Sequence, residues 1–174
     1  MPQSLTALLS HSLKKARRVA VLGVGSDLRG DDAAGVLAAQ RLARGRNSSR
    51  KVALGIFIGW TAPENLTGEI KRFKPTHLII IDAIDAGQKP GTILFLEPEV
   101  VGGASFSTHT LPARILADYL TSSTRCKVLI VGIQPRNVAF GTSASKTVRG
   151  SALYVANAIR RALRAIATKE YYAL

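Results

Sequence analysis

From Arg18 to Gly25 the chain is apolar at almost every position, through Val19, Ala20, Val21, Leu22 and Val24, and the run stops at glycine. A strand without alternation of polar and apolar residues is one covered on both faces, as in a parallel sheet. The next stretch, from Asp31 or Asp32 to about Arg44, is rich in alanine and leucine. Its acidic residues stand at the start, where the positive end of a helix dipole favours them. The sequence therefore predicts strand, tight turn, helix. Lys51 to Ile58 predicts a second strand and Thr61 to Phe73 a second helix. Thr61 and Glu64 are spaced as a capping box, and Pro63 suits a first helical turn. His77 to Asp82 is the most apolar strand, with Leu78, Ile79, Ile80 and Ile81 in succession, and it ends on a carboxylate. After a turn at Gly87 to Gly91, Thr92 to Leu96 predicts a short strand. The roughly nine residues before it are too few for a helical crossover, so it is expected within hairpin reach of its predecessor, antiparallel at an edge.

Residues 97–108 read as a loop rich in Gly and Ser that delivers His109. At ~3.3 Å per extended residue it is long enough to return from the far end of an edge strand. Leu111 to Leu120 predicts a helix, Lys127 to Gly132 a strand and Gln134 to Ser145 a loop. A last helix runs from about Thr147 to Ala167, with Leu153, Ala156, Ile159, Leu163 and Ile166 on one stripe. This order predicts an α/β fold, a three-layer αβα sandwich. Its sheet should be mainly parallel, of about five strands, with one edge strand antiparallel. With no repeat, linker or low-complexity stretch, residues 1–174 are expected to form a single domain. Right-handed crossovers place the turns after the first and third strands on one edge, which is where such sheets bind ligands.

Composition narrows the possibilities. A chain of 174 residues typically buries ~70% of its unfolded surface, enough for one core. No apolar run approaches the ~20 residues of a membrane span, so no membrane insertion is expected. The basic residues follow the apolar Leu5, Leu8 and Leu9 rather than precede them, the reverse of a secretory signal, and a cytoplasmic location is expected. Cys126 is the sole cysteine, which excludes an internal disulfide and Cys-rich metal sites. The net charge of +13 raises nucleic-acid binding. Much of it, however, lies in two stretches expected to be helical, Lys14 to Arg18 and Arg160 to Lys169, with few aromatic residues to stack bases. A solvated basic face, or one complementary to an acidic protein, fits better, and no nucleic-acid partner is expected.

The first turn reads Gly23-Val-Gly25-Ser-Asp-Leu-Arg-Gly30-Asp31-Asp32. A dinucleotide fingerprint needs glycine where this chain has Leu28, and Asp27, Asp31 and Asp32 would repel a pyrophosphate. The same residues suit a cation. Asp31 and Asp32 have an alternative role as dipole partners at a helix start. Asp82, ending a strand of aliphatic residues, must reach solvent, a donor or a cation, because burying it unpaired is costly. His109 alone suits a cap as well as a ligand. Together, two carboxylates and an imidazole at one sheet edge suit nickel, zinc or related ions.

At this point the chain resembles a known family, the maturation endopeptidases of [NiFe]-hydrogenases, in particular the type serving hydrogenase 3 of formate hydrogenlyase. The resemblance spans Arg18 to Leu163. It rests on Leu22-Gly-Val-Gly-Ser-Asp-Leu-Arg-Gly-Asp-Asp32 with Gly35, Thr61-Ala-Pro-Glu-Asn65, Ile81-Asp-Ala-Ile-Asp85, Thr108-His-Thr-Leu-Pro112 and Gly132-Ile-Gln-Pro135. It implies an enzyme that removes a C-terminal extension from a hydrogenase large-subunit precursor once nickel is installed. By motif the family's nickel-sensing and catalytic residues fall on Asp32, Asp82 and His109, with Asp31 adjacent and Ser26 where the family has Asn. Three protein ligands leave positions open, so the nickel is expected to come with the precursor and none to be held permanently. Metal-activated water and a carboxylate base both remain open as the mechanism. The competing readings are a nucleotide- or nucleic-acid-binding α/β module and a non-catalytic nickel carrier.

Overall fold

The structure, a computed structural model, describes residues 4–45, 51–97 and 111–169. Five strands form one sheet: β1 (Arg18–Val24), β2 (Ala53–Trp60), β3 (His77–Ala83), β4 (Ile93–Leu96) and β5 (Lys127–Ile133). Their spatial order is β2-β1-β3-β5-β4, with every pairing parallel except β4 against β5. Helices α1 (Leu5–Ser12), α2 (Ala34–Ala43) and α5 (Lys146–Lys169) cover one face. On the other lie α3 (Thr67–Phe73) and α4 (Leu111–Thr124). The expected αβα sandwich, mainly parallel with an antiparallel edge strand, is the observed fold.

Alternation along the central strands divides the core. Val19, Val21, Ile79, Ile81, Leu129 and Val131 pack toward α1, α2 and α5. Ala20, Leu22, Leu78, Ile80, Val128 and Ile130 pack toward α3 and α4. Both sets are buried, which is why these strands carry no polar alternation.

Four expectations need correction. β4 does not pair with β3, because β5 is inserted between them. From Val128 to Ile133 every residue of β5 is buried and demands cover on both faces, whereas β4 is only half-buried and suits an edge. Lys14 to Arg18 is not helical. The helix there is α1, which the sequence reading did not predict; Ser4 caps it, and the chain then turns through Leu13–Ala16 into β1. The Thr61–Glu64 capping box is absent. A 3₁₀ turn, Pro63–Leu66, begins after Ala62 without any side-chain cap, and the Thr67 hydroxyl donates to the Glu64 carbonyl instead. On α5, Leu153 is 43% exposed, and the buried face comprises Val148, Ala152, Val155, Ala156, Ala158, Ile159, Ala162, Leu163 and Ile166. Among the described residues, no helix is long and apolar enough to cross a membrane.

Candidate active site

The chain leaves β1, runs to β2 on one side, and returns to form β3 on the other, so β1 and β3 flank the point where the strand order reverses. A crevice opens between diverging connections at such a point. β1 and β3 are paired through Gly23 and Ile81, so the turn after β1 lies beside Asp82, the next residue of β3.

That turn is tight because glycine permits it. Gly25 has φ +130°, and a Cβ there would lie 1.8 Å from the Asp32 carbonyl oxygen. Gly35 lets α2 press onto the strand ends: a Cβ would meet the carbonyl oxygens of Ile81 at 2.0 Å and Val24 at 2.4 Å. Asp32 lies in the 3₁₀ turn Gly30–Ala33 that precedes α2. Its carboxylate closes the turn by accepting the Ser26 N–H at 2.8 Å. The Ser26 hydroxyl in turn accepts the Leu28 N–H at 3.3 Å, the local bond that Asn would also supply.

Asp31 and Asp32 are adjacent in sequence but have separate environments. Asp31 is 1% exposed. Its Oδ2 accepts the N–H groups of Arg136 at 2.8 Å and Asn137 at 3.2 Å, and its Oδ1 accepts that of Ser145 at 2.5 Å. Burial alone would raise its pKa, but these bonds outweigh burial and hold it below the ordinary value. Asp31 is thus a structural clamp, and Asp32 is the residue of the pair coupled electrostatically to Asp82.

Asp82 extends the alternation of Leu78 and Ile80, which places it on the α3/α4 face of β3. Desolvation is the main reason its carboxyl is pushed up to about 7; the Ala83 N–H, at 2.8 Å, opposes this, and the negative charge of Asp32 adds to it. Two carboxylates at one switch point, one of them poised near neutrality, can share a cation or a proton. Among the described residues no group of three or more His, Cys, Asp or Glu could hold a metal ion, so the observed pair stops at Asp32 and Asp82. His109 lies outside the described residues. α4, which starts at Leu111, packs on the same face as Asp82 and leads into the beginning of β5. Its fourteen residues span ~21 Å, about the height of the sheet, so Leu111 starts at the carboxyl edge.

The sequence reading gave Gln134 no role beyond its motif. It is buried and joins the connections after β3 and β5: its Oε1 accepts the N–H groups of Ala86 at 2.8 Å and Gln88 at 3.1 Å, and its Nε2 donates to Asp85 Oδ1 at 3.0 Å. Only its place in Gly132-Ile-Gln-Pro135 marked it. Cys126 is buried at the foot of β5, away from this edge, as expected of a structural thiol.

Solved structures to which this chain is similar include hydrogenase maturation endopeptidases. The chain is similar to a [NiFe] hydrogenase maturation protease HycI from Thermococcus kodakarensis KOD1, with a TM-score of 0.80 and 31% identity, over 90% of this chain and 99% of that one. It is also similar to the endopeptidase HycI of Escherichia coli, with a TM-score of 0.68 and 30% identity, over 80% of this chain and 87% of that one. In sequence it is 36% identical over 121 residues to the hydrogenase 3 maturation protease of Escherichia coli K12, covering 69% of this chain and 74% of that protein. The chain belongs to the HycI family of hydrogenase maturation proteases, whose match spans residues 36–166. It is therefore a peptidase, and the first-turn and strand-end carboxylates lie in a hydrolase fold.

Proposed function

We propose that this enzyme removes the C-terminal extension of a [NiFe]-hydrogenase large-subunit precursor after nickel insertion, and that Asp32, Asp82 and His109 read the nickel. The nickel belongs to the substrate. The observation that carries this reading is the approach of Asp32 and Asp82 at the switch point, where each carboxylate is oriented by one backbone N–H. Carboxylate oxygen and neutral imidazole nitrogen suit nickel, and an incomplete ligand set lets the precursor supply the remaining ligands. Asp82 must be ionised to ligate. Its near-neutral carboxyl lets a cation displace the proton without a large opposing cost. Engaging the metal sets the neighbouring peptide bond against the same edge, where proximity is the main contribution of the protein. A nucleotide reading finds no support here, because the Ser26 N–H that would face a phosphate already donates to Asp32.

The test is incubation with nickel-containing and nickel-free precursor, followed by mass spectrometry of the C-terminus. Shortening only of the nickel-containing form is expected, and Asp82→Asn or His109→Ala should abolish it while the fold is kept. Cleavage of the nickel-free form at the same rate would remove nickel sensing. Tight binding of free nickel with an uncut precursor would make the protein a carrier.

A further inference from the structure

The turn that carries Asp32 is bonded along its outer side to the loop that follows β5. Gly141 N–H donates to the Leu28 carbonyl at 2.8 Å, Gly30 N–H to the Thr142 carbonyl at 3.0 Å, and Asp31 N–H to the Asn137 carbonyl at 2.9 Å. The Asp31 carboxylate closes the same seam with three more backbone bonds. Two loops joined in this way move as one unit, since neither opens without breaking several hydrogen bonds, those to the Asp31 carboxylate among them. On this unit Leu28 is 58% exposed and Phe140 74% exposed.

Single exposed apolar side chains are ordinary on a protein surface. These two are placed otherwise. Two hydrogen bonds, Leu28 N–H to Ser26 Oγ and Ser26 N–H to Asp32 Oδ2, connect Leu28 to the site carboxylate. On the opposite flank of the turn, Gly25 N–H donates to the Trp60 carbonyl. Trp60 is 39% exposed and has φ +48°, a conformation that a bulky residue adopts only at a cost and that tends to persist at functional sites. Of the eight large apolar residues exposed among the described residues, four (Leu28, Trp60, Val138 and Phe140) lie along this edge. Asp27 and Arg29, both exposed, flank Leu28 with opposite charges, so apolar contact is the main thing the tip offers a ligand.

We propose that Leu28 and Phe140 are specificity-determining residues that receive an apolar side chain of the precursor polypeptide near its scissile bond, with the polypeptide crossing the Gly25–Asp32 turn toward Trp60. The proposal rests on the assignment of the Asp32–Asp82 edge as the cleavage centre.

Steady-state cleavage of nickel-loaded precursor tests it with Leu28→Ser, Phe140→Ser and Phe140→Leu, and with Leu153→Ser on α5 as a control. Loss of a buried apolar contact of this size should raise KM roughly tenfold in each serine variant. Turnover should stay within about a factor of two, because the contact is made equally in ground and transition states. Phe140→Leu should recover most of the affinity, and the control should match wild type. Should a serine variant fail to fold, Leu28→Gln and Phe140→Gln repeat the measurement. An unchanged KM in both positions, or a fall in turnover alone, overturns the proposal. So does sedimentation showing a wild-type dimer that Phe140→Ser dissociates, since the patch would then bind a second copy of this chain. Asp82→Asn, run in parallel, separates the two assignments: full activity in that variant refutes the cleavage centre, whereas an inactive Asp82→Asn beside serine variants of unchanged KM refutes the docking residues alone.

Discussion

At the scale of single residues, the Gly30-Asp-Asp32 segment shows what spacing alone leaves open. Both aspartates suit a helix start, so the sequence could not assign their roles. Contacts more than a hundred positions away separate them, since the partners of Asp31 are Arg136, Asn137 and Ser145. Replacing Asp31 with Asn sets an amide against N–H donors, and we expect a loss of roughly 2–4 kcal/mol of stability by denaturant unfolding at neutral pH. The pH dependence follows from its lowered pKa. The stability contributed by Asp31 is present above the unfolded-state value and is lost as pH falls through the lower folded-state value, so the deficit of the variant should shrink in strong acid. Asp82 has the opposite sign. Its folded pKa of about 7 stands above the ordinary 3.8, so the ionised group destabilises the fold above pH 7 and costs nothing below pH 3.8. Asp82→Asn should therefore melt higher than wild type at pH 8, with the difference fading toward pH 4, while losing all processing. A variant no more stable at pH 8 would contradict the desolvated setting of this carboxyl.

At the scale of elements, periodicity located nearly every strand and helix, whereas the capping signal in front of α3 misled. The Thr61–Glu64 spacing fits a capping box, yet the chain leaves β2 through a left-handed Trp60 and enters a 3₁₀ turn, which moves Thr61 out of the capping position. Glu64→Gln is accordingly expected to change stability by less than about 0.5 kcal/mol, a null result that chemical denaturation can verify. Gly35 behaves differently: α2 crosses the ends of β1 and β3 at backbone contact. Gly35→Ala should cost about 1–3 kcal/mol or more, because backbone carbonyls cannot yield as a side-chain tip can, and it should also lower activity by displacing the turn that holds Asp32. A fully stable and active alanine variant would show that this contact is looser than the packing indicates. Part of the basic charge also proves structural at this scale. The Arg160 guanidinium donates to the carbonyls of Arg41 and Leu42 at the end of α2, and Arg18 donates to the Phe73 carbonyl while lying over its ring at 4.5 Å. Such contacts satisfy carbonyls left open by a helix terminus.

For the molecule as a whole, the strand order creates the site. Placing β2 and β3 on opposite sides of β1 opens the edge where Asp32 and Asp82 approach. Because that edge is acidic and its Ser26 N–H is occupied, titration with ATP or NAD at moderate salt should give no saturable binding. Micromolar binding there would require the first turn to rearrange.

The sequence by itself determined the layered fold, through apolar runs that only a doubly covered strand tolerates, and it placed chemistry at the ends of the first and third strands. It also carried the family, because five short motifs in order are a specific signature. Tertiary structure decided which of two neighbouring aspartates clamps a loop and which faces Asp82, and which strand takes the edge. It also decided that exposed Leu28 and Phe140 belong to one hydrogen-bonded body. Each of these depends on contacts between residues distant along the chain, and a local pattern contains no information about which distant backbone will supply the donor.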